Sequence, residues 1–320
     1  MRKIKKNLKA TVLTILYENR DRYISGEKLS KNLGVSRTAI WKQVKELREN
    51  GYRISSRPNR GYRMDGEPDQ LDQDILKQYN IHYLSSVNST NREMRRMAEN
   101  GAPQFHTLVA EEQTEGRGRL GRKWISPPGK GLWFSILLLP HNLSPAEATP
   151  VTLVTAVALA RCLVKSFALP VQVKWPNDLL INGKKTAGIL TELKGEPEHI
   201  EYLITGIGIN VNQDRDSFPA EISNQATSLA IEYSKDINRT LLLVELQNSL
   251  VEAYRQFLSE GFKPFRSEWK KISSTLGSQV TVSRSEKLIR GKAIDLDDDG
   301  TLLIKDSNNI LHSVRYGEIL

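Results

Sequence analysis

At 320 residues the chain is longer than one hydrophobic core usually supports, so two or three domains are expected. With 39% hydrophobic and 26% charged residues and a single cysteine, Cys162, the composition excludes a disordered, secreted or disulfide-stapled chain and points to the cytosol. The net charge of +9 is unevenly placed: residues 1–64 hold 8 Lys and 9 Arg against 5 acids, or +12, and the other 256 carry −3, which implies a polyanion-binding head on a nearly neutral body.

The opening MRKIKKNLKA is basic like a leader peptide, but the apolar stretch Val12 to Tyr17 is short and runs into Glu18 and Arg20, so no cleavage is expected. Three helices follow, over Leu8–Glu18, Gly26–Leu33 and Ser36–Glu49, with a turn at Gly34 joining the last two. In the third, Ile40, Val44 and Leu47 make one buried stripe, and Ser36 is placed to cap it. Arg37, Thr38, Trp41, Lys42 and Lys45 lie largely elsewhere. Such a helix pair, with polar and basic residues near the start of its second member, is the helix-turn-helix arrangement, which lays that helix in the major groove. Tyr52 to Met64 adds two strands around Pro58 and Asn59. Its Arg53, Arg57, Arg60 and Arg63 make the hairpin a basic wing for phosphates. The alternative is a small interaction module with solvated charges; DNA binding is favoured because the charge coincides with the helix pattern.

Asp65-Gly-Glu-Pro-Asp69 reads as an inter-domain linker. From about 70 to 270, strand-like runs (Thr107–Ala110, Leu132–Leu139, Val171–Lys174, Leu179–Ile181, Gly188–Leu193, Tyr202–Asn210) mix with helices at Asn91–Glu99, Val151–Phe167 and Leu241–Leu258, giving an α+β or mixed α/β domain with one substantial sheet. The run Val151 to Val164 is broken by Arg161 and falls short of the ~20 residues that span a bilayer, so it is a buried helix, and no membrane partner is expected. Residues 274–320 alternate at Val280–Val282, Leu302–Ile304 and Ile310–Val314, which suggests a small β-barrel or sandwich.

Two clusters carry chemistry. In Gly116-Arg-Gly-Arg-Leu-Gly-Arg-Lys-Trp124, three glycines allow close backbone approach and Arg117, Arg119, Arg122 and Lys123 supply charge for phosphate; an RNA-binding or flexible surface segment has the same composition. It has neither Walker A spacing nor a Rossmann setting. The second, Lys174-Trp-Pro-Asn-Asp178, precedes an Asn182-Gly183 turn and Lys184-Lys-Thr-Ala-Gly188, a hairpin whose ends hold Asp178 and Lys185. The five histidines show no metal-ligand spacing.

Together with Ser89-Thr-Asn91, Gln113 and Gly206-Ile-Gly-Ile-Asn210, these clusters resemble the bacterial bifunctional biotin–protein ligases that double as biotin-operon repressors, and the resemblance covers essentially the whole chain. It implies a multidomain α+β protein: a winged helix-turn-helix over 1–65, a catalytic domain related to class II aminoacyl-tRNA synthetases over 70–270, and an SH3-like β-barrel over 274–320. Biotin and ATP are then substrates, with Mg²⁺, and the product biotinyl-5'-AMP is transferred to a lysine of biotin carboxyl carrier protein. Ser89, Thr90, Asn91, Gln113, Arg117, Gly118, Arg119, Lys185, Gly206, Ile207 and Gly208 would bind biotin, although Ser89 or Thr90 also suits a helix cap. Arg117, Arg119, Arg122, Lys123, Trp124, Asn177 and Lys185 would hold ATP and its phosphates. Lys185 and Arg119 would stabilise growing negative charge. Asp178 would position metal, nucleotide or incoming lysine. Trp124 would cover adenine, close the loop or simply pack. Ser36, Arg37, Thr38, Trp41, Lys42, Lys45, Arg57 and Arg60 would meet operator DNA, bound by an adenylate-induced homodimer. A lipoate-type ligase and a non-catalytic small-molecule sensor are the competing readings.

Overall fold

The computed structural model describes residues 8–66, 70–140, 143–196, 199–284 and 287–320. The basic segment at 1–7 and, within the expected linker, Glu67, Pro68 and Asp69 lie outside them. The described residues pack as two units, one running to Tyr83 and including Asn238–Val244, the other Leu84–Ile237 with Glu245–Leu320.

The first unit contains α1 (Leu8–Glu18), α2 (Gly26–Leu33), α3 (Arg37–Glu49), the hairpin β1 (Arg53–Arg57) and β2 (Gly61–Gly66), and α4 (Gln73–Gln78). Gly34 ends α2 with φ of 65°, and Ser36 accepts a bond from the Ala39 N–H to start α3. The turn between the helices is therefore encoded by two adjacent caps. Ile40, Val44 and Leu47 are buried with Val12, Leu13, Leu16 and Leu29, which leaves the other face of α3 outward. Lys9, 3% exposed, bridges Asp72 and Asp74 at 3.2 Å each, and Asn50 donates to both carboxylates, so α1 and the end of α3 are tied to the start of α4.

In the second unit the main strands are β4 (Thr107–Ala110), β5 (Gly131–Leu138), β6 (Val171–Lys174), β7 (Asp178–Ile181), β8 (Lys184–Glu196) and β9 (His199–Asn210), in spatial order β4-β5-β9-β8-β7-β6. β3 (Ile81–Leu84) and α8 (Arg239–Glu260) contribute residues to both units. All eight residues of β5 are buried, as suits a central strand. α5 (Thr90–Glu99) packs on β5 and β9, and α6 (Val151–Phe167) on β6, β7 and β8. α6 has the bounds expected from sequence, and no described helix is long and apolar enough to cross a membrane. Cys162 sits inside, where burial pushes its thiol up to about 12, out of reach of nucleophilic chemistry. α7 (Leu229–Tyr233) and α9 (Lys263–Lys271) complete the helices.

The C-terminal β region comprises β10 (Gln279–Arg284), β11 (Lys287–Leu296), β12 (Leu302–Lys305), β13 (Leu311–Val314) and β14 (Glu318–Ile319), an antiparallel sheet ordered β13-β12-β11-β10-β14. Among the described residues no pairing closes β13 onto β14. The β character expected from the alternation is present, whereas the observed form is a five-stranded sheet rather than a closed barrel. β11 went unseen in the sequence because Arg290, Gly291 and Lys292 interrupt its apolar pattern.

Candidate active site and nucleic-acid face

The Arg/Gly segment is a short hairpin rather than a featureless loop. The Trp124 backbone N–H donates to the Gly116 carbonyl at 2.9 Å, the Gly118 N–H to the Arg122 carbonyl at 2.7 Å, and the backbones of Arg117 and Lys123 pair antiparallel. Gly116 is required by space: a Cβ there would lie 2.4 Å from the Trp124 carbonyl oxygen. At the tip Leu120 takes φ of 55° and is 76% exposed, next to Gly121 at φ of 74°.

This hairpin forms one wall of a cavity of about 760 Å³. Every residue assigned above to biotin lines it: Ser89, Thr90, Asn91, Gln113, Arg117, Gly118, Arg119, Lys185, Gly206, Ile207 and Gly208. So do Arg122, Lys123, Trp124, Asn177 and Asp178. Residues scattered over more than 100 positions converge because β7, β8 and β9 are adjacent and the start of α5 lies over them.

At the start of α5 a polar network is already assembled. Gln113 Oε1 accepts from the Thr90 N–H at 2.9 Å and from Thr90 Oγ1 at 3.1 Å, and Gln113 Nε2 donates to Ser126 Oγ. Asn91 Nδ2 donates to Glu192 at 2.9 Å and to the Leu190 carbonyl, while Ser135 Oγ donates its proton to Asn91 Oδ1 at 2.7 Å and lies 2.8 Å from Thr90 Oγ1. The capping role considered for Ser89 needs correction: it occupies the cap position but its side chain makes no capping bond. Gln113 satisfies the first helical N–H instead, which leaves the buried Ser89 hydroxyl to the cavity. Gly206 leaves room for this network, since a Cβ there would sit 2.1 Å from Asn91 Oδ1.

The cations are positioned rather than loose. Lys185 Nζ lies 2.8 Å from Asp178 Oδ1 and 5.2 Å from the centre of the Trp124 ring. Arg119 donates to Asn177 Oδ1 at 3.4 Å, and Asn177 in turn donates to the Ile189 carbonyl at 2.8 Å. Burial lowers the Arg119 guanidinium from its ordinary value, opposed by the charges of Glu318 and Asp178. It stays charged, so a cation is held where an anion would restore its lost solvation. Arg122 is paired with Glu318, and Arg117 lies 3.9 Å from Glu115. Trp124 rests over the glycines of β8 and β9: a Cβ on Gly208 would come within 2.5 Å of its Nε1. That indole N–H is buried in the cavity wall with no acceptor among the described residues. Among the described residues no cluster of three metal-ligating side chains occurs.

Sequence reasoning missed several contributors. Ser135 and Glu192 hold the polar network but sit in strand patterns that read only as core. Phe218, Pro219 and Ile222 line the cavity from a segment without a motif, and Glu318 to Leu320 reach it from the C-terminal sheet.

In the first unit Ser36, Arg37, Thr38, Trp41, Lys42, Lys45, Arg57 and Arg60 are all exposed. Arg57 and Arg63 stack on Tyr23 at 5.1 and 5.0 Å, and Lys45 on Trp41 at 5.8 Å.

A helix-turn-helix unit and a mixed α/β unit with an arginine-bearing cavity place the chain among ligand-binding proteins that carry a helix-turn-helix head. Comparison with known proteins agrees: residues 9–63 match the HTH domain, 83–210 the biotin/lipoate A/B protein ligase family, and 275–320 the biotin protein ligase C-terminal domain. The chain is 35% identical over 317 residues to the bifunctional ligase/repressor BirA of Bacillus subtilis (96% of this chain, 97% of that one), and 34% identical over 301 residues to that of Escherichia coli (92% of each). The structure of biotin protein ligase from Aquifex aeolicus in complex with biotin and ATP matches with a TM-score of 0.66 and 34% identity, covering 75% of this chain and 97% of that one. The chain belongs to the BirA family of bifunctional ligase/repressors.

Proposed function

We propose that the cavity activates biotin with ATP to form biotinyl-5'-AMP and passes biotin to a lysine of biotin carboxyl carrier protein, and that the helix-turn-helix unit represses biotin genes. The observation that carries this reading is the Lys185–Asp178 pair at 2.8 Å, set in the same cavity as the Thr90–Gln113 and Asn91–Ser135 network and Arg119. The network suits the ureido head of biotin, which needs a few fixed donors and acceptors within an otherwise snug pocket.

In the first step a biotin carboxylate oxygen bonds to the α-phosphorus of ATP and the bond to pyrophosphate breaks. Two anions must approach, so catalysis is chiefly a matter of holding cations where charge grows. Lys185 supplies one such cation, oriented beforehand by Asp178 and the Trp124 face; Arg117, Arg119 and Arg122 gather phosphates. The free indole N–H of Trp124 serves as a donor to the bound ligand. Asp178 and substrate phosphates would hold Mg²⁺, since that ion commonly takes one or two carboxylates plus phosphate oxygens, and it would supply charge neutralisation. In the second step the acceptor lysine amine bonds to the biotinyl carbonyl carbon and AMP departs, its phosphate held by the same arginines. No enzyme nucleophile is needed, in keeping with the buried Cys162.

The exposed side chains of α3 read bases, and Arg57 and Arg60 of the wing hold phosphates. The protein acts in the cytoplasm, and binding of the adenylate promotes a homodimer that engages two half-sites. The chain is organised as a head over 1–65, a body over 70–270 of the class II aminoacyl-tRNA synthetase kind, and an SH3-like region over 274–320. Biotin-dependent exchange of labelled pyrophosphate into ATP tests the catalytic reading. Exchange with biotin is expected; exchange with lipoate alone, or none, would refute it in favour of the lipoate or pure-sensor alternative.

A further inference from the structure

The solvent face of the C-terminal sheet carries an arrangement that folding does not require. Paired residues on adjacent strands share a face, and one row across the sheet reads Gln279, Lys292, Lys305, Leu311. Lys292 and Lys305 are directly opposite, a placement that weakens a sheet by like-charge repulsion. Arg290 stands two residues from Lys292 on β11, hence on the same face, and the three cations border a concavity of about 310 Å³ with Ile294. All three are exposed, and among the described residues none is bridged by a carboxylate. Asp306, at the edge of the concavity, is occupied: it holds His312 at 2.8 Å and accepts from the Asn308 and Ile310 N–H groups.

Large apolar side chains accompany the charge. Leu288, Ile294 and Leu311 are 53%, 43% and 54% exposed. Arginine and lysine among exposed aliphatics suit a protein partner with carboxylates better than a nucleic-acid backbone, which gains little from leucine.

The position of the face identifies the partner. Ser283 pairs with Glu318, and Thr281, two residues along the same face, pairs with Arg290. Glu318 is the residue that meets Arg122 at the cavity, and Leu320, which also lines the cavity, donates its N–H to Thr281. Arg290 is thus two strands from the cavity rim, roughly 10 Å at ordinary strand spacing. A macromolecule that extends a lysine into the cavity past Glu318 and Leu320 would lie over this surface.

We propose that Arg290, Lys292 and Lys305 form a docking face for carboxylates flanking the acceptor lysine of the protein substrate, with Leu288, Ile294 and Leu311 covering apolar surface beside them. This rests on the ligase reading above. It makes the C-terminal sheet a determinant of which lysines receive biotin.

The test uses the full-length chain with Lys292→Gln/Lys305→Gln and Lys292→Glu/Lys305→Glu, a biotin carboxyl carrier domain as acceptor, and biotin-dependent pyrophosphate exchange without acceptor. Charge reversal is expected to lower kcat/KM for the carrier by about tenfold or more, chiefly through KM, and neutralisation by a few-fold with a flatter salt dependence. Exchange should stay within about twofold of wild type in both, because neither residue touches the cavity. Unchanged carrier kinetics would overturn the proposal. A parallel fall in exchange in the neutralised pair would also do so, by assigning the residues to folding, as would a loss confined to operator affinity, by assigning the face to DNA. Failure of the unmodified protein to exchange pyrophosphate would be a different result, one that removes the ligase reading and this surface with it.

Discussion

The cations of the helix-turn-helix face and those of the cavity are built on opposite plans. On α3 and the wing, Arg37, Lys42 and Arg60 project into solvent, and their neighbours Lys45 and Arg57 lean on aromatic rings. In the cavity, Lys185 is fixed by Asp178, Arg119 by Asn177 and Arg122 by Glu318. Loose charge suits a long polyanion, whose affinity comes from counterion release summed over many phosphates and tolerates motion in each contact. Fixed charge suits a transition state, where stabilisation depends on dipoles and cations that need no reorganisation as charge develops. On the proposed reading, the same residue types do different work because of what holds them.

The comparison breaks most sharply at Lys185. Replacing it with Ala should slow adenylate formation by about 10³-fold while changing biotin affinity far less, because its contribution is greatest where negative charge converges. Rates of exchange and biotin titrations check this, and a kcat within a few-fold of wild type would contradict the role. Next comes Gly206→Ala, whose methyl would meet Asn91 Oδ1 at 2.1 Å. Asn91 must leave its bonds to Ser135 and Glu192, so KM for biotin should rise by roughly 10- to 100-fold, about 1–3 kcal/mol per buried bond left unmade. A normal KM would show that the network does not shape the biotin site.

On the other side of the comparison, Lys42→Ala and Arg60→Ala should each weaken operator binding by about tenfold and flatten its salt dependence by close to one phosphate contact, with exchange unchanged. Equal loss of both activities would erase the contrast. The smallest effect concerns pH. Hydrogen bonding from Asn50 and then Lys9 holds Asp74 below the usual carboxylate value, and Arg161 does the same for Glu268. A depressed carboxylate stabilises the fold above its unfolded value, ~4, and that contribution fades as pH falls through the folded value. Thermal melts should therefore lose ground below about pH 4, and Asp74→Asn should lower Tm by only roughly 1 °C at pH 7, since a solvent-exposed carboxylate is well screened. A larger loss at pH 7 than at pH 3 is the expected sign; the reverse would refute it.

What could be read from the chain follows from the range of each interaction. α6, α3 and the caps at Gly34 and Ser36 were legible because helix periodicity and capping act within a few residues. The lining of the cavity was legible through the family resemblance that its motifs carry, since the composition of the Gly116–Trp124 segment alone suits an RNA-binding or flexible surface segment as well. The exchange of Ser89 for Gln113 as the cap of α5 was not legible, since it depends on a contact across 23 residues that only the folded strand β4 and its following turn create. Ser135, Glu192 and Glu318 were hidden for the same reason: each acts on a partner 44 or more positions away. β11 was masked by the outward cations that give the C-terminal face its character, so the feature that obscured the strand is the one that suggests its use.

The most direct test of the account is transfer itself. Full-length protein incubated with biotin, ATP, Mg²⁺ and a biotin carboxyl carrier domain should label one carrier lysine and release AMP in equal amount, and Lys185→Ala should abolish both while operator binding by the unliganded protein is unchanged. An unlabelled carrier in the presence of normal operator binding would contradict it, leaving a DNA-binding sensor whose cavity performs no chemistry.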